Sequence, residues 1–160
     1  MRSMSTDRLI IALDPGLSSG CSIVTLTGPV GSHEVELVES HELDVEHTWH
    51  WLESALIQTE GIPNVELVAE TFIITIETAK KSQSPWSLRL LGVADYLAAQ
   101  HRVPFIEQTP AQAKRLVTND MLRAGGLWHK GGAGHANDAT RHAVYRLLTT
   151  GWSGQGVVPV

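Results

Sequence analysis

The stretch Arg8-Leu9-Ile10-Ile11-Ala12-Leu13-Asp14-Pro15-Gly16 decides the fold. Its continuous apolar run, closed by Pro-Gly, reads as a strand buried on both faces and followed by a turn. The run delivers an acid, Asp14, at its C-terminal end. Working outward, Val65-Glu66-Leu67-Val68-Ala69 is a second such run and ends in Glu70, while Gly134-His135-Ala136-Asn137-Asp138-Ala139 opens a helix that carries a third acid. Two acids on strand ends and one on a helix converge only through folding. Converging carboxylates are what hard divalent cations require.

The remaining elements fall into place around these three. Residues 20–26 and 34–40 read as strands joined by Thr27-Gly28-Pro29-Val30-Gly31, which with the first strand predicts an antiparallel meander. Helical spacing of Trp49, Leu52, Ala55 and Leu56 predicts a helix over 45–59, capped by Asp44 and stopped by Gly61-Ile62-Pro63-Asn64. After the strand 65–69, Pro85 opens a helix to about residue 100 with Leu88, Leu91, Ala94 and Leu97 or Ala98 inward, and a short strand follows over 103–107. Thr109-Pro110 reads as a cap and first helical residue, opening a helix through Leu116 toward Arg123 that ends at Gly125-Gly126. Residues 127–134, with Gly131, Gly132 and Gly134, read as a mobile loop. The last helix runs from His135 or Asn137 to Thr150, with Ala139, Ala143, Val144 and Leu147 on its packed side, and 151–160 reads as a tail. The order βββαβαβα plus a further helix predicts an α/β fold, a five-stranded mixed sheet flanked by helices, in one domain over residues 1–150.

Composition narrows the class. The chain has 160 residues, 42% hydrophobic and 18% charged, which fits an ordinary soluble protein with one core. No apolar stretch approaches membrane-spanning length, and the polar start lacks a following apolar run, so residence in the cytoplasm is expected. The single cysteine, Cys21, excludes an intrachain disulfide and a multi-cysteine zinc cage, and its place in an apolar strand suggests packing. A net charge of −5 looks wrong for a nucleic-acid binder, but the charge is uneven. Residues 1–79 carry −11, whereas residues 80–160 carry +6, compatible with a phosphate-facing surface beside a metal site.

The Asp14-Pro15-Gly16-Leu17-Ser18-Ser19-Gly20 turn, Glu70 and His135-x-x-Asp138 together resemble the RuvC group of Holliday junction resolvases, in the ribonuclease H-like superfamily. Ser19 stands where that group usually has threonine. The likeness covers roughly residues 9–148, and the small size suggests a phage-type member acting in a host cytoplasm. The resemblance implies a two-metal endonuclease in which Asp14 bridges two Mg²⁺ ions, with Mn²⁺ as a substitute, Glu70 holds the leaving-group-side ion and Asp138 the nucleophile-side ion. His135 would be a further ligand or would orient or deprotonate the attacking water. Two ions roughly 3.5–4 Å apart would neutralise the clustered acids, and the resemblance implies a 5′-phosphate and a 3′-hydroxyl as products. Each residue also has a purely structural reading: a turn opener for Asp14, a solvated strand end for Glu70, a helix-dipole acid for Asp138 and a cap for His135. His142 could reach the same face but reads first as a packed or exposed histidine.

The resemblance further implies branched DNA as substrate and a two-fold homodimer, formed through the helix over 85–100, that nicks twice. Lys80, Lys81, Arg89, Lys114, Arg115 and Lys130 are the expected phosphate contacts, extended by Arg123 and Arg141, with Trp86 and Trp128 as stacking candidates. Relatives place a phenylalanine wedge three residues after the glutamate, where this chain has Ile73, with Phe72 one step earlier. Such a shift points a side chain the opposite way on an extended segment. The alternatives are another ribonuclease H-like nuclease cutting flaps, hybrids or single strands, an inactive junction-binding module, and a sugar-kinase or actin-like ATPase, for which the chain is too short.

Overall fold

The structure, a computed structural model, describes residues 7–29, 31–81, 85–152 and 154. Its centre is a five-stranded mixed sheet in the order β3-β2-β1-β4-β5. Strands β1 (Arg8–Asp14), β2 (Ser18–Thr27) and β3 (Glu34–Asp44) form the antiparallel meander, while β4 (Val65–Glu70) lies parallel to β1 and β5 (Phe105–Gln108) parallel to β4. The near-continuous apolar runs of β1 and β4 follow from this central position, where both faces are covered.

Helices cover the two faces unequally. On one side α1 (Val45–Gln58) and α3 (Trp86–Gln100) bring Leu52, Leu56, Leu91, Ala94 and Ala98 onto Ile11, Leu13 and Leu67. On the other side α4 (Pro110–Leu116), α5 (Asn119–Ala124) and α6 (His135–Thr149) pack Leu122, Ala139, Ala143, Val144 and Leu147 onto Ile10, Ala12 and Val68. Ile11, Leu67 and Leu147 are fully buried, each burial stabilising the fold by roughly 1.5–3 kcal/mol. Among the described residues no helix is long and apolar enough to cross a membrane.

Local signals explain where the elements begin. Asp44 accepts from the His47 N–H at 2.9 Å and caps α1. Thr109 and Gln112 form a reciprocal capping box with Pro110 at the first helical position. Several expectations are corrected. A short helix, α2 (Ile76–Lys81), precedes α3, and the expected helix beyond Leu116 breaks at Val117, where Thr118 caps a separate α5. Trp49 and Leu88 are surface residues, and Thr48 and Leu90 take the inward positions. Trp152, assigned to the tail, is buried in the core beside Leu147, and its backbone N–H donates to the Leu147 carbonyl at 3.0 Å.

Strand β3 runs past the expected end at Ser40 and contains a bulge. Ile23 faces Glu39 and Val24 faces Leu37, so Val38 is an extra residue without a partner on β2. An inserted residue reverses the alternation of side chains beyond it. Val35 and Leu37 pack toward α6, and after the bulge Glu39, His41 and Leu43 turn toward α1 while Ser40 and Glu42 turn toward α6.

Candidate active site at the carboxyl edge of the sheet

Parallel pairing of β1 and β4 brings the ends of both strands to one edge, and α6 crosses it. Asp14 is buried there at 8% exposure, and Ser19 closes the turn behind it, its Oγ accepting from the Gly16 N–H at 3.1 Å. Ser87 of α3 donates to the Pro15 carbonyl at 2.7 Å and ties that turn to the other layer. Helix α6 contributes His135, Asp138 and His142, spaced three and four residues apart on one face, with Arg141 beside them three residues after Asp138.

Each acid meets a basic or imidazole partner from that face. His135 Nδ1 lies 3.1 Å from Asp14 Oδ2. His142 is almost fully buried between Gln108 Oε1 and Glu70 Oε2, each 2.8 Å from a ring nitrogen, so the ring cannot turn and Glu70 is fixed with it. Arg141 donates to Asp138, to Asn119 and to the Val117 carbonyl, and Lys114 stands 3.7 Å from Asp138. A cleft of about 420 Å³ opens beside Asp138, lined among others by Lys114, Asn119, Trp128 and Arg141.

Burial, then the charge of Glu70, raises the Asp14 carboxyl to about 6; the His135 hydrogen bond opposes this and the charge of Asp138 adds to it. The charges of Glu70 and Asp138 therefore both reach Asp14. Among the described residues no three His, Cys, Asp or Glu side chains are disposed, as they stand, to hold one ion. The donor chemistry still fits a hard divalent cation, because Asp14, Glu70 and Asp138 offer carboxylate oxygens whose protein partners are exchangeable hydrogen-bond donors.

A pH experiment tests this electrostatic reading. The folded-state pKa of Asp14 lies above its unfolded value of 3.8, so the folded protein holds the proton more tightly and loses stability as pH rises from about 4 through about 6. The loss is roughly 3 kcal/mol by neutral pH. The difference in melting temperature between wild type and Asp14→Asn, both metal-free, should therefore widen between pH 5 and pH 7.5 in favour of the variant. A difference that does not change with pH would remove the raised carboxyl.

The other predicted residues divide. Lys80, Arg89, Lys114, Arg115, Arg123 and Lys130 are exposed, whereas the side chain of Lys81 lies outside the described residues. Arg141 is buried and engaged with Asp138, not open to a phosphate. Trp86 and Trp128 carry Arg89 and Arg123 over their rings at 4.7 and 4.1 Å. Phe72 packs into the α1–α3 layer, while Ile73, Ile74 and Ile76 stand exposed. The loop before α6 is pinned: Asn137 bonds both the N–H and the carbonyl of His129, whose ring meets Ser40 at 2.7 Å. Gln108, the buried engagement of His142 and Glu42 were not singled out by sequence. Only the spacing of His142, two helical turns beyond His135, pointed to any of them.

A mixed sheet in this order, covered by helices on both faces, defines the α/β architecture of the chain. Within it, the chain has the fold of RuvC. The Thermus thermophilus RuvC structure superposes with a TM-score of 0.63 at 15% identity, over 86% of this chain and 92% of that one. T. thermophilus RuvC in complex with Holliday junction substrate gives 0.63 at 17% identity over the same shares. The fowlpox virus Holliday junction resolvase gives 0.54 at 10% identity, over 88% of this chain and 98% of that one. No protein-family profile matches the chain, and no curated protein matches it.

Proposed function

We propose that the protein is a metal-dependent endonuclease that resolves four-way DNA junctions by paired nicks. The observation that carries this reading is that the charges of Glu70 and Asp138, from two other elements, both reach Asp14 at one edge of a fold shared with junction resolvases. Asp14, Glu70, Asp138 and His135 would hold two Mg²⁺ ions, with Mn²⁺ as a substitute, and the ions supply Lewis acidity for attack of water on the phosphodiester and departure of the 3′ oxygen. The P–O3′ bond breaks, leaving a 5′-phosphate and a 3′-hydroxyl.

The chain's own side chains do the rest. His142 fixes the aim of Glu70, and Arg141 that of Asp138. Lys114 beside Asp138 and the exposed Arg115 and Lys130 neutralise phosphates near the cut, with Lys80, Lys81 and Arg89 serving the junction arms. The wedge at the junction centre is aliphatic: Ile73, Ile74 and Ile76 are exposed directly after Glu70, where Phe72 faces the core. Helix α3, with Leu88 and Tyr96 exposed, joins two copies so that two nicks fall symmetrically.

The test is cleavage of a synthetic four-way junction against linear duplex, flap and RNA–DNA hybrid in Mg²⁺ and in EDTA, with the cut sites mapped. Symmetric nicks on the junction alone, lost in EDTA, are expected. Equal cutting of all substrates would leave a broader nuclease. In the same assay Ile73→Ser with Ile76→Ser should lower junction cleavage about tenfold, the equivalent of roughly 1.4 kcal/mol of lost contact, and quench the fluorescence of a 2-aminopurine at the crossover. An unchanged 2-aminopurine signal would remove the wedge.

A further inference from the structure

Helix α6 begins poorly. Its first-turn N–H groups have no acceptor within the helix, and its cap position is Gly134, at φ 99°, which has no side chain to satisfy them. The partner comes from the far edge of the sheet. Glu42 of β3 accepts from the N–H groups of Ala133 at 2.8 Å, Gly134 at 2.8 Å and Ala136 at 3.3 Å. A carboxylate here is favoured both by these bonds and by the positive end of the helix dipole.

Three strands align this contact with the candidate active site. In the sheet register Asp14 faces Gly20 and Gly20 faces Glu42, so the three form one row across β1, β2 and β3. The start of α6 lies over the row. His135 reaches Asp14 at one end, the backbone of His135 and Ala136 rests on Gly20 in the middle, and Glu42 holds the amides at the other end. The bulge at Val38 is what turns Glu42 to this face. Gly132 leaves room for the carboxylate, since a Cβ there would sit 2.4 Å from Glu42 Oε2.

We propose that Glu42 is a positioning residue for the active site: it anchors the start of α6 so that His135 and Asp138 are presented to Asp14 and Glu70. The assignment rests on the nuclease reading for its consequence in catalysis, but not for its geometry. The far half of the helix has a matching anchor, Glu66 of β4, gripped by Arg146 at 2.7 Å and by Arg8 of β1 at 2.6 Å. Glu66 fixes the end that carries no site residue, and Glu42 fixes the end that carries the chemistry.

The test compares wild type, Glu42→Ala, Glu42→Gln and, as a control on an exposed acid of the same strand, Glu36→Ala. In Glu42→Ala the kcat for junction cleavage should fall about 10–100-fold, with the junction Kd within about twofold, as expected when a support behind a ligand is removed. The amides of Ala133, Gly134 and Ala136 should exchange faster, and the His135 ring resonances should move. Glu42→Gln keeps one acceptor oxygen for the Gly134 and Ala136 N–H groups but sets an NH2 against the Ala133 N–H, so its rate and His135 shifts should fall between those of wild type and Glu42→Ala, and it decides the question if the alanine variant does not fold. Glu36→Ala should change none of these. Full kcat and unmoved His135 resonances in folded Glu42→Ala would overturn the assignment. A wild type that cuts no junction in Mg²⁺ would sink the nuclease reading instead, and the His135 resonances would then judge Glu42 alone.

Discussion

Asp14→Asn is expected to abolish Mg²⁺-dependent junction cleavage, by about 10³-fold or more, while the junction Kd stays within about twofold. The amide keeps the size of the carboxyl and loses its charge and one acceptor oxygen, so it removes a cation ligand and leaves the packing of β1 intact. A second consequence separates this from simple damage. Asp14 is held in a buried setting where its charge is unwelcome, so the neutral amide should melt higher than wild type at pH 7.5 without metal. Mg²⁺ should raise the melting temperature of wild type and do so much less for the variant. A variant that is inactive and more stable is the signature of a residue kept for chemistry at the expense of the fold. Cleavage at the wild-type rate would end the assignment of Asp14 as a metal ligand.

Gly20→Ala is expected to be the most damaging substitution away from the acids. A Cβ at this position would lie 1.8 Å from the carbonyl oxygen of His135 and 2.7 Å from the nitrogen of Ala136, both backbone atoms of α6. Neither can swing aside as a side chain could, so the helix must lift from the sheet. Overpacking of this kind costs roughly 3 kcal/mol or more, about 10 °C in melting temperature for a chain of this length. Whatever folds should bind metal weakly, because lifting α6 takes His135 and Asp138 away from Asp14. A Gly20→Ala protein with normal melting and normal cleavage would mean that α6 does not rest on β2.

These two residues mark what could be read in the sequence and what could not. The place of Asp14 at the end of a buried strand was legible because Asp-Pro-Gly after an apolar run is a local signal, and so were the Asp44 and Thr109 caps, although the reciprocal bond from Gln112 was not. Gly20 was legible as a motif member, but its physical reason is a helix 115 residues later in the chain. Glu42 carried no local signal at all. It follows several other acids on an edge strand, where charge ordinarily serves to discourage edge pairing, and its true partners are backbone amides that no side-chain pattern reveals. His142 was legible only in part, for a related reason: its spacing two turns beyond His135 allowed a packed histidine on that face, but its seat between Gln108 and Glu70 depends on how β4, β5 and α6 stack. Trp49 and Leu88 went wrong because periodicity fixes an apolar stripe only to within one or two positions, and here Thr48 and Leu90 hold the inward places.

The bulge at Val38 bears on how this chain could be altered. Past it, the edge strand is tied to the start of α6 through Ser40 and Glu42, and before it only Val35 and Leu37 reach that layer. The residues between Leu37 and Glu42 therefore act as a spacer whose parity matters more than its composition. Replacing any one of them conserves the direction in which Glu42 points, whereas removing or adding one reverses it. Edge strands are commonly where proteins absorb changes of length, and in this molecule that freedom ends at Leu37.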